Sequence, residues 1–137
     1  MKAVFADANY WIALLNPHDD LHAKAEAVSS ALGRVRFVTS EMVFTEVLNY
    51  FAPRGPDLRS AAAALIDGLR KHPETNIVLQ TSAQFRDAAT LYAQRGYKAW
   101  SLTDCASFQI MEREQITDAL THDKDFGQAG FKPLLRD

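Results

Sequence analysis

The sequence contains one cysteine, Cys105, among 137 residues, so an internal disulfide is impossible and packing alone must hold the fold. A lone thiol suits a reducing compartment. No stretch approaches the roughly 18 uninterrupted apolar residues of a membrane helix. The apolar opening MKAVFADANYWIALL is broken by Asp7 and Asn9, and no small-residue cleavage site follows it, so it does not read as a secretory leader. These absences together give the expectation of a soluble, cytoplasmic protein with no membrane association. Internal repeats, low-complexity tracts and long linkers are also missing. A chain of 137 residues fits one compact domain, 1–137, that buries about two-thirds of its unfolded surface without a structural metal.

A strong excess of either charge is absent too. Fifteen Lys and Arg face seventeen Asp and Glu, a net charge of −2, which argues against a protein that coats nucleic acid by bulk attraction. The sum hides a division of labour. If four acids hold a metal, thirteen remain against fifteen cations, and bound divalent ions raise the local potential further.

What is present is an alternation of short apolar strands with longer amphipathic helices. Ala3-Val4-Phe5-Ala6 suits a buried strand ending at Asp7. A short helix over 10–15 stops at Asn16-Pro17, and Asp19 or Asp20 caps a second helix running to Leu32, with Gly33 as terminator. Arg36-Phe37-Val38-Thr39 reads as a second strand. Thr39 or Ser40 caps a helix to Phe51, on which Val43, Phe44, Val47, Leu48 and Phe51 recur with helical spacing. A helix over 58–71 follows Asp57. Ile77-Val78-Leu79 reads as a third strand, and Ser82 starts a helix that Gly96 ends. A helix over 104–114, a strand over 117–121 and a fifth strand over 131–134 complete the chain. This order implies an α/β domain with a mainly parallel sheet covered by helices, in which ligands bind beyond the carboxyl ends of the strands.

That rule draws attention to the acids. Asp7 directly follows the first strand and alone is explained as a turn residue capping the next helix; Asp123 follows the fourth strand and alone is explained as an Asx turn. Asp104 sits in the first turn of its helix, where the helix dipole favours a negative charge. Glu46 lies inside a helix, and its neighbours three and four residues away are Met42, Val43, Asn49 and Tyr50. A glutamate on so apolar a face needs an ion-pair partner or a metal. As a set, the four acids repel unless cations or protons intervene. Oxygen ligands without a His/Cys cluster select hard cations such as Mg2+ or Mn2+, which activate water and stabilise charge on a phosphodiester.

Four stretches carry a family resemblance: Val4-Phe5-Ala6-Asp7-Ala8-Asn9, Thr45-Glu46-Val47, Leu102-Thr103-Asp104-Cys105, and Leu120-Thr121-His122-Asp123-Lys124-Asp125-Phe126. In the order and spacing of its acids and in total length, the chain resembles the PIN-domain nucleases, and among them the VapC-type toxins of toxin–antitoxin pairs. The resemblance implies a three-layer α/β/α fold and a magnesium- or manganese-dependent endoribonuclease acting on RNA, usually a homodimer silenced by a cognate antitoxin. It implies Asp7 and Asp104 as the principal metal ligands, Glu46 as a ligand or water-orienting group, and Asp123 completing the cluster, with Asp125 in support. Asn9 and Thr121 match polar positions lining the family's site.

Other signals weigh less. His18 and His22 are four apart, but His18 precedes its helix and no third zinc ligand accompanies them. Cys105 lacks a nearby histidine to activate it and reads as a core thiol. Arg54, Arg59, Arg95, Lys98, Arg113 and Lys124 are candidates for guiding phosphates, and Tyr10, Trp11, Tyr97 and Trp100 for stacking on bases, with ordinary surface and core roles as the alternatives. A haloacid-dehalogenase-like phosphatase needs a second Asp two residues after Asp7, where Asn9 stands. A receiver domain does not use a mid-chain helical acid such as Glu46. A PIN module that processes RNA without being a toxin, or that binds without cutting, remains as the alternative to a toxin.

Overall fold

The computed structural model describes residues 1–137. Strand β1 (Ala3–Ala6) leads into helices α1 (Ala8–Leu15) and α2 (His22–Leu32); β2 (Arg36–Ser40) leads into α3 (Glu41–Phe51) and α4 (Pro56–Lys71). Then come β3 (Thr75–Val78), α5 (Ser82–Gln94), α6 (Leu102–Arg113), β4 (Asp118–Leu120), α7 (Lys124–Gln128) and β5 (Lys132–Pro133). Every strand pair is parallel and the sheet order is β3-β2-β1-β4-β5. Helices α1 to α4 pack on one another, α5 packs on α6, and α7 packs against α6 and β5. The result is the three-layer α/β/α arrangement expected from the alternation, with a sheet that is parallel throughout.

The sheet builds outward from β1, first through β2 to β3 and then, on the other side, through β4 to β5. The strand order therefore reverses between β1 and β4. Such a switch point opens a crevice at the carboxyl ends of the two strands, because the connecting chains leave in opposite directions. Asp7 follows β1 and Thr121 follows β4, so both stand at this crevice.

Val4, Phe5 and Ala6 of β1 are fully buried, as a strand covered on both faces requires. Val43, Val47 and Phe51 of α3 and Ile110 and Met111 of α6 fill the two helix–sheet interfaces. Phe108 anchors one aromatic group, edge-on to Trp100 and Phe126 at 4.9 Å from each. Tyr10, Trp11 and Phe37 form another. Tyr10 and Trp11 are only 2% and 3% exposed, so these two candidate base-stacking residues are core residues instead. No helix is long and apolar enough to cross a membrane.

Several boundaries differ from the sequence expectation. The third strand is Thr75–Val78, not 77–79. It is an edge strand whose start is set by pairing of Thr75 with Phe37, and Leu79 lies beyond it, 58% exposed. The helix expected from Asp104 starts two residues earlier at Leu102, because Ser101 caps it. Neither Asp19 nor Asp20 caps α2. Asp19 instead accepts the Leu21 amide at 2.9 Å and closes the preceding turn. The one-turn helix α7 was not expected, since Asp123 alone signals only an Asx turn.

Candidate active site

Each acid reaches the crevice through a local structural rule. Asp7 ends β1 and caps α1, its Oδ1 accepting the Ala8 amide at 2.8 Å. Asp104 is the third residue of α6 and forms a reciprocal capping box: its Oδ2 accepts the Ser101 amide at 3.0 Å, and Ser101 Oγ accepts the Asp104 amide at 3.0 Å. Asp123 caps α7 by accepting the Asp125 amide at 2.9 Å. Glu46 projects from the middle of α3. Capping, expected of Asp7 alone, is thus a role of three of the acids: Asp104 does more than favour the helix dipole and Asp123 more than close an Asx turn, and the caps fix the carboxylates in place without preventing a second role.

The structure brings Asp7, Glu46, Asp104, Asp123 and Asp125 to one open cleft of about 680 Å3. Ala8, Asn9, Ile12, Asn49, Tyr50, Ala99 and Ser101 complete its walls. Asn49 and Tyr50 follow Glu46 by three and four residues, so helical spacing alone puts them on its face. The Ser101–Asp104 spacing is the capping-box signal that would have located Ser101. Asp123 and Asp125 both line the cleft, so the geometry does not choose one over the other.

Thr121 ties the crevice together. Its hydroxyl donates to Asp7 Oδ2 at 2.8 Å and accepts from Asn9 Nδ2 at 2.9 Å and from the Asp123 amide at 3.1 Å. One donor and two acceptor positions are all that a hydroxyl has, and each is used. Asn9 in turn accepts the His122 amide at 3.0 Å, joining the α1 start to the chain beyond β4.

Burial, and after it crowding by like charges, raises the proton affinity of the acids. Asp7, 5% exposed, is pushed to about 6, chiefly by burial, against the opposing hydrogen bonds of Thr121 and Ala8 and with help from Glu46 and Asp123. Asp104 is pushed to about 7 by burial, with the charges of Asp123 and Asp7 adding to it. Glu46 is raised by desolvation and then by Asp104 and Asp123, although the residue as a whole remains exposed on the open side of the cleft. Asp125 is raised by desolvation and by Asp123, with Lys124 and Lys98 opposing.

The donor set fits a hard divalent cation. Carboxylate oxygens of Asp104, Asp123 and Asp125 lie within 4.8 Å of one another. Opposite ligands of a Mg2+ ion, at about 2.0–2.1 Å each, stand about 4.2 Å apart, so a small closure suffices. All donors are oxygens, with no thiolate or imidazole to favour zinc. Asp7 lines the same cleft outside this trio, with both oxygens already hydrogen-bonded.

The remaining candidates separate cleanly. Lys98 and Lys124 lie near enough to act on Asp125. Arg54 stacks on Tyr50 at the cleft wall. Arg59 and Arg113 line other hollows, one between α3 and α4 and one against α5 and α6. His22 bonds the Ala13 carbonyl at 2.7 Å and Glu26 at 3.2 Å. Cys105 is buried beside Met42, Ala88 and Ala106, and burial raises its thiol pKa, as a core thiol requires.

The PIN-domain family model matches residues 4–132. Over 128 residues the chain is 27% identical to the 23S rRNA-specific endonuclease VapC20 of two strains of Mycobacterium tuberculosis, covering 93% of this chain and 95% of theirs. The crystal structure of Mycobacterium tuberculosis VapC20, described as a Sarcin-Ricin loop cleaving toxin, superposes with a TM-score of 0.81 at 27% identity, covering 93% of this chain and 95% of that one.

Proposed function

The chain belongs to the PIN-domain family, and on that premise we propose that residues 1–137 form one metal-dependent endoribonuclease domain whose working groups are Asp7, Glu46, Asp104, Asp123 and Asp125. One observation carries the reading: five carboxylates from four separated segments line a single cleft at the strand-order switch, and two of them have pKa values raised to about 6 and about 7. Nothing in the fold itself benefits from burying and crowding these acids. A site that exchanges protons for a cation near neutral pH does.

Asp104, Asp123 and Asp125 would hold the ion, Mg2+ or Mn2+, with Asp7 flanking them. When bound, such an ion lowers the pKa of water and offsets the charge that builds on a phosphodiester. Asp7 is held rigid by Thr121 and the Ala8 amide, so its carboxylate needs no reordering when the site assembles. Glu46, on the open wall with a raised pKa, is the group placed to accept a proton from attacking water. Asn9 holds the chain after β4 against the start of α1 and so keeps Asp123 facing Asp7.

The toxin role, with a cognate antitoxin and a homodimeric state, is the finer part of the proposal. It is supported by the likeness to a relative described as a toxin. A hollow of mixed polarity between α3 and α4, with Leu48, Phe51 and Ala63 on its apolar side and Asn49, Arg59 and Ser60 on its polar side, gives a protein partner a place to dock. Retention of all the acids favours a cutting enzyme over a binding-only module.

Incubation of the purified protein with mixed cellular RNA tests the central reading. Cleavage is expected with manganese, none with chelator, and none from the Asp104→Asn variant, whose circular dichroism should match that of wild type. Equal cleavage by wild type and Asp104→Asn would overturn it.

A further inference from the structure

Resting on the reading of Asp123 as a metal ligand, we propose that Arg136 is a positioning residue for it, completing the hydrogen bonds that fix the two peptide planes leading into Asp123.

Strand β4 ends at Leu120 and α7 begins at Lys124, so only Thr121, His122 and Asp123 carry the chain between them. A turn this short lies outside any ladder, and its backbone groups need partners from elsewhere. In the peptide joining Thr121 to His122, the carbonyl accepts the Leu135 amide at 3.0 Å and the N–H donates to Asn9 Oδ1 at 3.0 Å. In the next peptide, joining His122 to Asp123, the N–H donates to Thr121 Oγ at 3.1 Å. The carbonyl of that same peptide accepts from the Arg136 guanidinium at 2.9 Å. A peptide unit is planar, so holding both of its polar groups fixes the direction in which the chain enters Asp123. Arg136 supplies the one bond of the four that comes from a charged group, and a charge-assisted bond is the stronger kind.

The segment that carries Arg136 is itself anchored. The Leu134 amide donates to the Ala119 carbonyl at 2.9 Å, Leu135 is 2% exposed, and the Arg136 amide closes a turn onto the Pro133 carbonyl at 3.2 Å. Arg136 is exposed and makes no ion pair. Its neighbour Asp137 pairs with Lys24 instead, which leaves the guanidinium to the His122 carbonyl.

Asp125 does not depend on this clamp. It precedes Phe126, which is fully buried with its ring centroid 6.5 Å from that of Phe5 and 4.9 Å from that of Phe108. Core packing therefore holds the backbone at Asp125. Asp123 lies between His122 and Lys124, both exposed, and has no such anchor beside it. Losing Arg136 should thus be felt through Asp123 alone. The sign of the effect separates this role from a simple field effect. A positive charge near a cation site opposes binding, so deleting it by field alone would tighten the site. Deleting a positioning bond weakens it.

Manganese affinity by titration calorimetry at one fixed pH, with thermal melts to verify folding, tests the proposal. Arg136→Ala should bind manganese about fivefold more weakly, a smaller loss than that from a group bonded to the ligand itself. Arg136→Lys, which keeps a charged donor, should recover most of that loss. In a double-mutant cycle, the loss should persist in an Asp125→Asn background and shrink to about twofold or less in an Asp123→Asn background. Unchanged or tighter binding by Arg136→Ala overturns the proposal. So does an equal loss in both backgrounds, which would make Arg136 a general support of the fold. If wild type binds manganese and Arg136→Ala matches it, only the positioning role is removed, whereas a wild type that binds no manganese removes the metal-site reading with it.

Discussion

At the scale of the residue, Thr121 illustrates how a neutral group organises charged ones. Its hydroxyl is buried and fully engaged, with Asp7 as its acceptor and Asn9 and Asp123 as its donors. Thr121→Val keeps the shape and removes all three bonds, leaving the Asp7 carboxylate without the hydrogen bond that most strongly favours its charged form. Loss of such an orienting partner typically costs 10- to 100-fold in metal affinity or activity. We expect a loss of about that size in manganese affinity by titration calorimetry, with Thr121→Ser close to wild type. The roles of Asp7, Asp104 and Asp123 were only half legible in sequence. Each has a capping duty that fully accounts for its residue type, and only their meeting at one cleft adds a reason beyond capping. Glu46 gave the clearer signal, because no cap explains an acid in the middle of α3.

At the scale of the element, helix periodicity and strand alternation were legible, while the ends were set by partners that no local pattern reveals. Strand β3 begins where β2 offers pairing, and its own apolar residues do not mark that point. The start of α6 was within reach, since Ser101 and Asp104 stand at capping-box spacing. That box also aims Asp104 into the cleft, so helix stability and site geometry share the same two hydrogen bonds. Ser101→Ala removes one of them. We expect a loss of about 1 kcal/mol, read as a melting temperature lower by roughly 3–5 °C in a thermal scan. The helix itself should persist, because its buried face, including Phe108, Ile110 and Met111, remains packed.

At the scale of the whole molecule, the parallel sheet order places the ends of β1 and β4 side by side, and this is what turns distant acids into neighbours. The alternation of strands and helices foretold a parallel sheet. The reversal of strand order between β1 and β4 depends on how the crossovers pack, which local sequence does not encode. The clustering has a cost that pH should expose. In the folded chain Asp7 and Asp104 hold their protons to about 6 and about 7, against 3.8 for the free side chain. Between those values the native state binds more protons than the unfolded one, so their contribution is complete below about pH 4 and is lost as pH rises through 6 to 7. The metal-free protein should therefore lose stability, on the order of several kcal/mol, from about pH 5 to pH 8 in urea titrations. The lowered pKa values of Glu41 and Glu74, paired with Arg70 and Arg34, act in the opposite direction only at more acidic pH. Saturating manganese should flatten the decline, because a cation takes the place of the protons.

The most direct test of a shared cation site is calorimetric titration of manganese into the metal-free protein at about pH 5 and about pH 8, for wild type and Asp104→Asn. Tighter binding at the higher pH, with proton release near neutrality and severe weakening in the variant, is the predicted result. Undetectable binding in wild type, or an affinity indifferent both to pH and to loss of the Asp104 charge, would contradict it.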